Sequence, residues 1–383
     1  MEKNNYDVFI SYSHKDGKIA KDICTELSNA GISCFFDDMS VDDPDWLFKI
    51  TDAIVNSKIF LYLGSKNTST AKITPKELLL AINHKNTSCI YCYFIEEHAL
   101  PIEIEFLLGD INQRHMNKHP VDTGLIPDLK KILSIDFDPV KPVPKITENA
   151  ISFAIGLHQL EMIRVNGGSL VIGATSEQSM FAESNEEPAH KVSLPTFYIS
   201  KYPITQDIWE FVMGYNKSHF RHKDEKSYME HPAESLTYDE AKEFVCRLSK
   251  LTNVPFSLPT EEEWEYAARG GQKSHGFRYA GSNDIDEVAW YRDNANGKTH
   301  PVGKKKPNEL GLYDMSGNVW EWTETPAHSY ATDIETGGNI FIRRGGSWWH
   351  EAKNCRVSRR YASDHTKKTS GLGLRVVIRE NVE

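Results

Sequence analysis

The chain begins with short apolar runs separated by stretches in which apolar residues recur at helical spacing. Each run is predicted to be a strand, and the four runs lie at 6–12, 32–36, 59–63 and 89–95. The intervening stretches predict helices at 16–31, at 46–57 and from 74 onward. Continuous apolar strands that alternate with helices indicate a parallel sheet covered on both faces. This part of the chain is therefore predicted to be an α/β domain.

The first predicted helix has recognisable limits. Asp16 can cap its start and Gly31 can end it, while Ile19, Ile23 and Leu27 fall on one face. Ligands of parallel sheets bind outside the carboxyl ends of the strands. That rule places three loops around one predicted cleft, at 11–14, 37–45 and 65–73.

The chain changes character near residue 139. Pro139, Pro142 and Pro144 indicate a stiff extended linker. Only one of the 8 tryptophans precedes it, and the later part is richer in glycine. We therefore expect a first domain over 1–138, a linker with a connecting helix over 139–159, and a second, loop-rich domain over 160–383.

Charge and composition narrow the function classes. The chain has 44 Lys+Arg against 54 Asp+Glu, a net charge of −10, which argues against nonspecific binding to nucleic acid or anionic membranes. The longest wholly apolar run, 89–95, is far shorter than the ~18 residues of a membrane helix. Six scattered cysteines and a start without an apolar signal core favour reduced thiols. A soluble, cytoplasmic protein is expected.

The first domain contains three short motifs whose order and spacing match those of a known family. The segments 6–13, 31–37 and 63–67, the last leading to Lys76-Glu77-Leu78, resemble the TIR (Toll/interleukin-1 receptor) family over about residues 5–135. The resemblance implies a flavodoxin-like α/β fold with a parallel sheet. Catalytic members of the family cleave the nicotinamide–ribose bond of NAD, and some cyclise the product. Other members are adaptors that only self-associate.

Glu77 matches the catalytic glutamate of the family. Nicotinamide leaves NAD from a charged pyridinium and departs neutral, so no general acid is needed and one carboxylate beside the ribose can suffice. A structural role for the same residue also fits the sequence, because Thr74-Pro75-Lys76-Glu77 is a capping box with proline at the first helical position.

The resemblance also implies a nucleotide pocket, which is incomplete here. Tyr12 and Trp46 match positions that line it, and Ser13 stands where some active members have an arginine. Ile73 replaces the tryptophan that many active members carry four residues before the catalytic glutamate. An adaptor, or a site completed by a neighbouring subunit, therefore stays open.

The second domain carries five longer motifs. The segments 167–173, 197–205, 258–270, 311–322 and 344–348 resemble the formylglycine-generating, or sulfatase-modifying-factor, family. The resemblance implies an α+β, loop-rich variant of the C-type-lectin fold over about residues 160–380. Thr260 and Glu263 form a capping box, and Gly270 ends the helix that follows.

Members of this family have two kinds of metal site, for copper and for calcium, and the resemblance indicates which residues of this chain occupy the matching positions. The generating enzymes hold copper with two cysteines, but the matching positions here are His350 and Cys355, so a bis-thiolate copper site is not expected. The resemblance also implies a calcium loop, because a set of oxygen donors in this chain matches the calcium ligands of the family. The alternative is an acidic turn whose carboxylates accept hydrogen bonds from backbone amides. Its four residues are Asp314, Gly317, Val319 and Glu321.

The tail of the second domain resembles the ligand-binding end of lectin-fold proteins, some of which are diversified by retroelements. The residues expected on that surface are Trp349, His350, Glu351, Cys355, Tyr361 and His365. Eight Lys/Arg between 343 and 368 allow an acidic ligand, and a solvated basic face explains them as well.

These features predict a sensor joined to an effector. The second domain would bind a small-molecule or protein trigger and bring TIR domains together, so that they cleave NAD, in bacterial antiphage immunity or signalling. A noncatalytic TIR adaptor is the alternative, and a formylglycine-generating oxidase is a lesser one.

Overall fold

A computed structural model describes most of the chain, with short gaps. The described residues are 6–36, 46–68, 74–98, 104–105, 108, 111–135, 144–155, 158–178, 180–221, 226–330 and 338–380. The chain forms two compact units, Met1–Val143 with Ala154–Leu157, and Pro144–Phe153 with His158–Glu383. In the described part, every helix is too short or too polar to cross a membrane.

The first unit is built on a parallel sheet, as predicted, with the four predicted strands and a fifth that was not predicted. Its strands are β1 (Val8–Ser11), β2 (Cys34–Phe36), β3 (Ile59–Gly64), β4 (Ile90–Phe94) and β5 (Asn112–His115). Their order is β2-β1-β3-β4-β5, and all four pairings are parallel. β1, β3 and β4 are buried along their whole length because they have neighbours on both sides and are mainly apolar, with Ser11 as the polar end of β1.

The helices of this unit whose bounds fall within the described residues are α1 (Gly17–Asn29), α2 (Trp46–Asn56), α3 (Thr74–His84) and α4 (Ile126–Leu133). In α1, Ile23 and Leu27 are buried as predicted, but Ile19 is 39% exposed. Gly31 follows α1 with φ +83°, a conformation that glycine adopts without strain. The Asp16 side chain does not cap α1, contrary to prediction, since its hydrogen bonds are made elsewhere.

The described residues of the second unit form three sheets. Its strands are β6 (Lys145–Ile146), β7 (Ala150–Ile155), β8 (His158–Val165), β9 (Gly168–Ile172), β10 (His190–Leu194), β11 (Phe197–Ser200), β12 (Phe256–Ser257), β13 (Trp320–Pro326), β14 (Ile340–Arg344), β15 (Arg360–Asp364), β16 (Leu372–Leu374) and β17 (Val377–Arg379). The orders are β12-β17-β11-β8-β7-β6, β15-β14-β13-β16 and β10-β9.

Helices are few in this unit: α5 (Gln206–Met213), α6 (Tyr238–Thr252), α7 (Glu261–Ala268) and α8 (Ile285–Val288). The helix predicted within 139–159 is wrong, because the described residues 144–155 form β6 and β7. In β7, Phe153 and Ile155 are buried and Ala154 between them is only partly buried, which suits the two-residue period of a strand better than a helix. Long stretches between strands are irregular, as expected for a loop-rich domain.

Helix α7 lies at the centre of the second unit. Thr260 and Glu263 form the predicted capping box, and Gly270 follows the helix with φ +89°. Trp264 is completely buried. Three glutamates of α7 are also buried, which is unusual for ionised side chains and requires partners.

Arginines from distant parts of the chain supply those partners. Glu261 accepts hydrogen bonds from Arg360 at 2.7 and 2.6 Å, and Glu265 is paired with Arg344 and Arg269. Burial alone would raise the pKa of Glu265, but the charges of Arg344 and Arg269 hold it below its usual value. The carboxylate therefore stays ionised inside the core.

Removing Glu265 should destabilise the second unit strongly. In Glu265→Ala, two buried guanidinium groups each lose one of their two carboxylate partners, and the free energy of unfolding should fall by about 3–5 kcal/mol. Urea denaturation followed by tryptophan fluorescence measures this, because seven of the 8 tryptophans belong to this unit. Glu262→Ala on the same helix is the matched control, with an expected change within about 0.5 kcal/mol. Equal losses for both variants would contradict a structural role for the buried pairing.

Candidate functional site

Glu77 lies at the carboxyl edge of the parallel sheet. It belongs to the first turn of α3 and is half-buried. Ser11, the last residue of β1, donates a hydrogen bond from its Oγ to Oε2 of Glu77 at 2.6 Å. This bond fixes one carboxylate oxygen against the end of β1. The capping box remains a prediction, because the side chain of Thr74 is outside the described residues.

Tyr62 lies beside this pair. It is the register partner of Ser11 in the neighbouring strand, so both side chains emerge on the same face of the sheet. Burial raises the pKa of the Tyr62 hydroxyl, and the negative charge of Glu77 raises it further. The phenol therefore stays protonated next to the carboxylate. Sequence reasoning missed this residue, although the register of β1 and β3 would have pointed to it.

The two loops beside Glu77 are tied together by Asp16. Its carboxylate accepts one hydrogen bond from Ser65 Oγ and another from Asn67 Nδ2, both at 2.6 Å. Thr68 closes the second loop by donating to the carbonyl of Ser65 at 2.7 Å. Since Asp16 and Ser65 are buried, these bonds hold the edge of the sheet in one arrangement.

The predicted nucleotide-binding residues differ in their placement. The Tyr12 ring is half-buried and stacks on Phe36, with 5.0 Å between ring centres, at the same edge of the sheet. Ser13 is buried in the turn before α1. Trp46 begins α2 but its side chain lies outside the described residues, as does the whole of Ile73. The structure thus brings Tyr12, Ser11 and Glu77 to one edge.

The four residues predicted to bind calcium do not fit a calcium site. Both oxygens of Glu321 are paired with the Arg375 guanidinium at 3.0–3.3 Å, and Trp264 Nε1 donates to the same carboxylate at 2.6 Å. A guanidinium already supplies the positive charge there.

The other members of the calcium set are also engaged. Asp314 accepts from the Gly303 amide at 2.8 Å and from Asn318 Nδ2 at 3.2 Å, and burial raises its pKa to about 6. Gly317 lies so close to the Trp290 carbonyl that an added Cβ would be 2.3 Å away, and Val319 is buried. The acidic turn therefore has a structural role.

Only some of the residues predicted for the ligand surface lie together. The rings of Tyr361, Trp320, His350 and Trp349 follow one another, with 4.6–6.1 Å between successive centres. Trp349 is 50% and Tyr361 44% exposed. Glu351 lies beside them, paired with Arg292 and Lys353 on the outside of the domain.

Two residues predicted for this surface lie elsewhere. Cys355 is completely buried, so it cannot be presented to a ligand. His365 follows the far end of β15, where its Nδ1 lies 2.7 Å from Asp239 Oδ2.

Comparison with known proteins identifies both units. A model of the TIR domain matches residues 8–125, and a model of the sulfatase-modifying factor enzyme 1-like domain matches residues 155–380, more than half of the chain. The chain belongs to the sulfatase-modifying factor family. Its first unit is a TIR domain.

Individual relatives match the chain over different shares of their length. Chaperone protein LppX of Paenibacillus barcinonensis is 34% identical over 273 residues, which is 57% of this chain and 89% of the relative. The formylglycine-generating enzyme of Mus musculus is 30% identical over 168 residues, 38% of this chain and less than half, 43%, of that enzyme. The structure of Treponema denticola variable protein 1 matches with 28% identity and a TM-score of 0.54, covering 61% of this chain and 100% of that one.

His350 and Cys355 of the sulfatase-modifying-factor domain do not fit a copper site. Burial raises the pKa of the Cys355 thiol to about 12, which disfavours the thiolate that binds metal. Nδ1 of His350 already accepts from Ser347 Oγ at 2.7 Å and from Trp320 Nε1 at 3.1 Å. Across the described part of the chain, His, Cys, Asp and Glu form no group of three or more that could hold a metal.

The basic tail of the sulfatase-modifying-factor domain is not a solvated face. Arginines 343, 344, 356, 359 and 360 are all buried. Arg356 forms a bidentate pair with Glu186 at 2.7 and 2.8 Å, and Arg359 lies 2.6 Å from Glu183. Most of these charges therefore hold the domain together, and the alternative of a solvated basic surface is wrong.

His350 should make the stability of this domain depend on pH. Burial and the charges of Arg343 and Arg359 lower its pKa to about 4, whereas the unfolded chain has the ordinary value of about 6.5. Between these values the unfolded chain binds more protons, so stability should fall as the pH drops from about 6.5 to about 4.

The test compares urea midpoints across that pH range. His350→Gln should flatten the decline, with His275→Gln on an exposed ring as the matched control. An unchanged pH dependence in His350→Gln would contradict the assignment.

Proposed function

We propose that the TIR domain cleaves the nicotinamide–ribose bond of NAD with Glu77, and that ligand binding to the sulfatase-modifying-factor domain controls this activity by bringing TIR domains together. NAD is the substrate; after nicotinamide leaves, water adds to the sugar carbon and loses a proton to give ADP-ribose, or a nucleophilic group of the same molecule adds to that carbon to give a cyclic form. The observation that supports the proposal is the Ser11–Glu77 hydrogen bond at the carboxyl edge of the sheet.

The chemistry requires a fixed carboxylate beside the ribose. As the bond to the pyridinium breaks, positive charge develops on the sugar, and an ionised carboxylate stabilises it. Glu77 lies in the first turn of α3, where the helix dipole favours a negative charge, and Ser11 holds one of its oxygens in place. Nicotinamide leaves as a neutral molecule, so the site needs no acid to protonate it. Tyr12 offers an aromatic face at the same edge for a ring of the nucleotide.

Control by a second domain follows from the reaction. A cytoplasmic enzyme that consumes a central cofactor must stay inactive until a trigger appears. We place the protein in bacterial antiphage immunity or signalling, with a protein or a small molecule as the trigger and self-association of the TIR domain as the response.

A noncatalytic adaptor is the second candidate. Ile73 occupies the position at which many catalytic members have tryptophan, and Ser13 one at which some have arginine. Such a protein would transmit ligand binding through TIR self-association alone. A formylglycine-generating oxidase is disfavoured by the burial of Cys355 and by the engaged Nδ1 of His350.

Removing the Glu77 carboxylate should abolish NAD cleavage. The full-length protein, fused to an inducible clustering tag, is incubated with a fluorogenic NAD analogue. Glu77→Gln keeps the size of the side chain but not its charge, and the rate should fall by about 10²-fold or more. Glu26→Gln on the exposed face of α1 is the control and should keep the full rate. Cleavage by Glu77→Gln at the native rate would exclude Glu77 as the catalytic residue. Absence of cleavage by the clustered native protein would favour the adaptor.

Ser11 should act as a positioning residue for the same reaction. In Ser11→Ala the carboxylate loses the bond that orients it, so kcat should fall between about 10- and 100-fold while KM changes little. The exposed Ser88→Ala is the control. A change in KM alone would mean that Ser11 contacts substrate instead of positioning Glu77.

A further inference from the structure

Arg343 differs from the other buried arginines of the sulfatase-modifying-factor domain. Arg344, Arg356 and Arg360 each face a buried glutamate. Arg343 is only 7% exposed, yet among the described residues it has no carboxylate partner and donates no side-chain hydrogen bond. Its Nε is buried without any hydrogen-bond acceptor.

Aromatic rings make up the surroundings of this guanidinium. Its central carbon lies 4.6 Å from the ring centre of Tyr361 and 5.2 Å from that of Trp320. Ring faces attract a cation, but they accept no conventional N–H hydrogen bond and so replace only part of the lost hydration. Tyr361 is directly opposite Arg343 in the β14–β15 pairing, which fixes the two side chains on one face.

The other charged groups near Arg343 are positive or already paired. Burial and the charge of Arg359 lower the pKa of Arg343 to about 10. Arg359 itself is paired with Glu183, and His350 is uncharged at neutral pH because its pKa is about 4. A buried, unpaired positive charge is costly, and such a cost is commonly retained where a ligand removes it.

We propose that Arg343 is the anion-binding centre of the ligand surface, and that the ligand of this domain carries an oxyanion, a carboxylate or a phosphate, attached to an aromatic or apolar body. The inference rests on the proposed recognition role of this domain but not on NAD cleavage.

The geometry suits such a ligand. A guanidinium stacked against rings presents its edge, where two parallel N–H groups match two oxygens of a carboxylate or phosphate. The half-exposed Tyr361 and Trp349 provide apolar area beside the charge. Trp320 Nε1 donates to Nδ1 of His350, so the proton of this uncharged ring is on Nε2.

Binding of small anions tests the proposal directly. Isothermal calorimetry on the full-length protein uses benzoate and phenyl phosphate as probes, with uncharged benzamide for comparison, at millimolar concentrations. Benzoate or phenyl phosphate should bind and benzamide should not, and the stronger of the two identifies the ligand group as carboxylate or phosphate.

Variants separate recognition from folding. Arg343→Met should weaken anion binding about 10- to 100-fold, and Arg343→Lys should weaken it less, because the charge remains while the fork of donors is lost. Arg164→Met, at a partly exposed arginine of β8, is the control and should bind like the native protein. The thermal midpoint of Arg343→Met without ligand should equal or exceed the native value, since a buried unpaired charge has been removed.

Three results would overturn the proposal. They are the absence of binding by either anion, equal binding by Arg343→Met, and a loss of binding in that variant that is accompanied by a lowered midpoint, since the arginine would then have a structural role. Because these measurements do not involve NAD, a failure of the NAD-cleavage proposal leaves them unaffected. Conversely, a protein that cleaves NAD but binds neither anion would refute this inference alone.

Discussion

The second unit depends on ion pairs inside its core. Glutamates of α7 and of the turn at Glu186 are paired with arginines contributed by the C-terminal third of the chain. The desolvation of these charges is offset only when all partners are in place, because a lone buried charge costs several kcal/mol. The network therefore stabilises one arrangement of β14, β15 and α7 and disfavours alternatives. In a domain with long irregular segments, the strands are short and share few backbone hydrogen bonds. Ion pairs of this kind then help to specify a single structure.

Because side chains alternate along β14, the ion pairs of the core also determine where the side chains of the ligand surface lie. Successive residues of β14 point to opposite sides, so Arg344 enters the core and Arg343 joins the rings on the other face. The pairing of Arg344 with Glu261 and Glu265 fixes the register that holds Arg343 against Tyr361. Core charges and surface recognition are thus linked through adjacent residues of one strand. The loop residues beside them, such as Trp349, can vary without disturbing that register.

Much of the fold could be predicted, and the failures have physical reasons. Buried parallel strands such as β3 are apolar along their length, so hydrophobic runs locate them. The fifth strand, β5, reads Asn-Gln-Arg-His and lies at the edge of the sheet, where one side lacks a neighbour and polar residues are tolerated, so hydrophobicity could not reveal it. Spacing also placed Ile19 on the buried face of α1, yet it lies near the rim of that face and is exposed.

The candidate sites were also predicted only in part, because contacts between distant segments of the chain could not be derived from the sequence. Motif order placed Glu77 and Ser11 at one edge, because parallel strands and their following loops converge there. Sequence could not reveal that Glu321 pairs with Arg375, 54 residues away, and so suggested calcium where a guanidinium provides the charge. Nor could it distinguish the paired arginines of the tail from Arg343, since the difference lies in glutamates from distant segments.

The long reach of these ion pairs has a consequence for biosynthesis. Glu186 and Arg356 are 170 residues apart, whereas the Ser11–Glu77 link in the first unit spans 66. At translation rates of about 5–20 residues per second, roughly 10 to 30 s separate the synthesis of Glu186 from that of its partner. During that interval the TIR domain has already left the ribosome and can fold, while the domain behind it still lacks the arginines that complete its core. Each newly made chain therefore passes through a stage in which the first unit is folded and the second cannot yet bind or respond to anything.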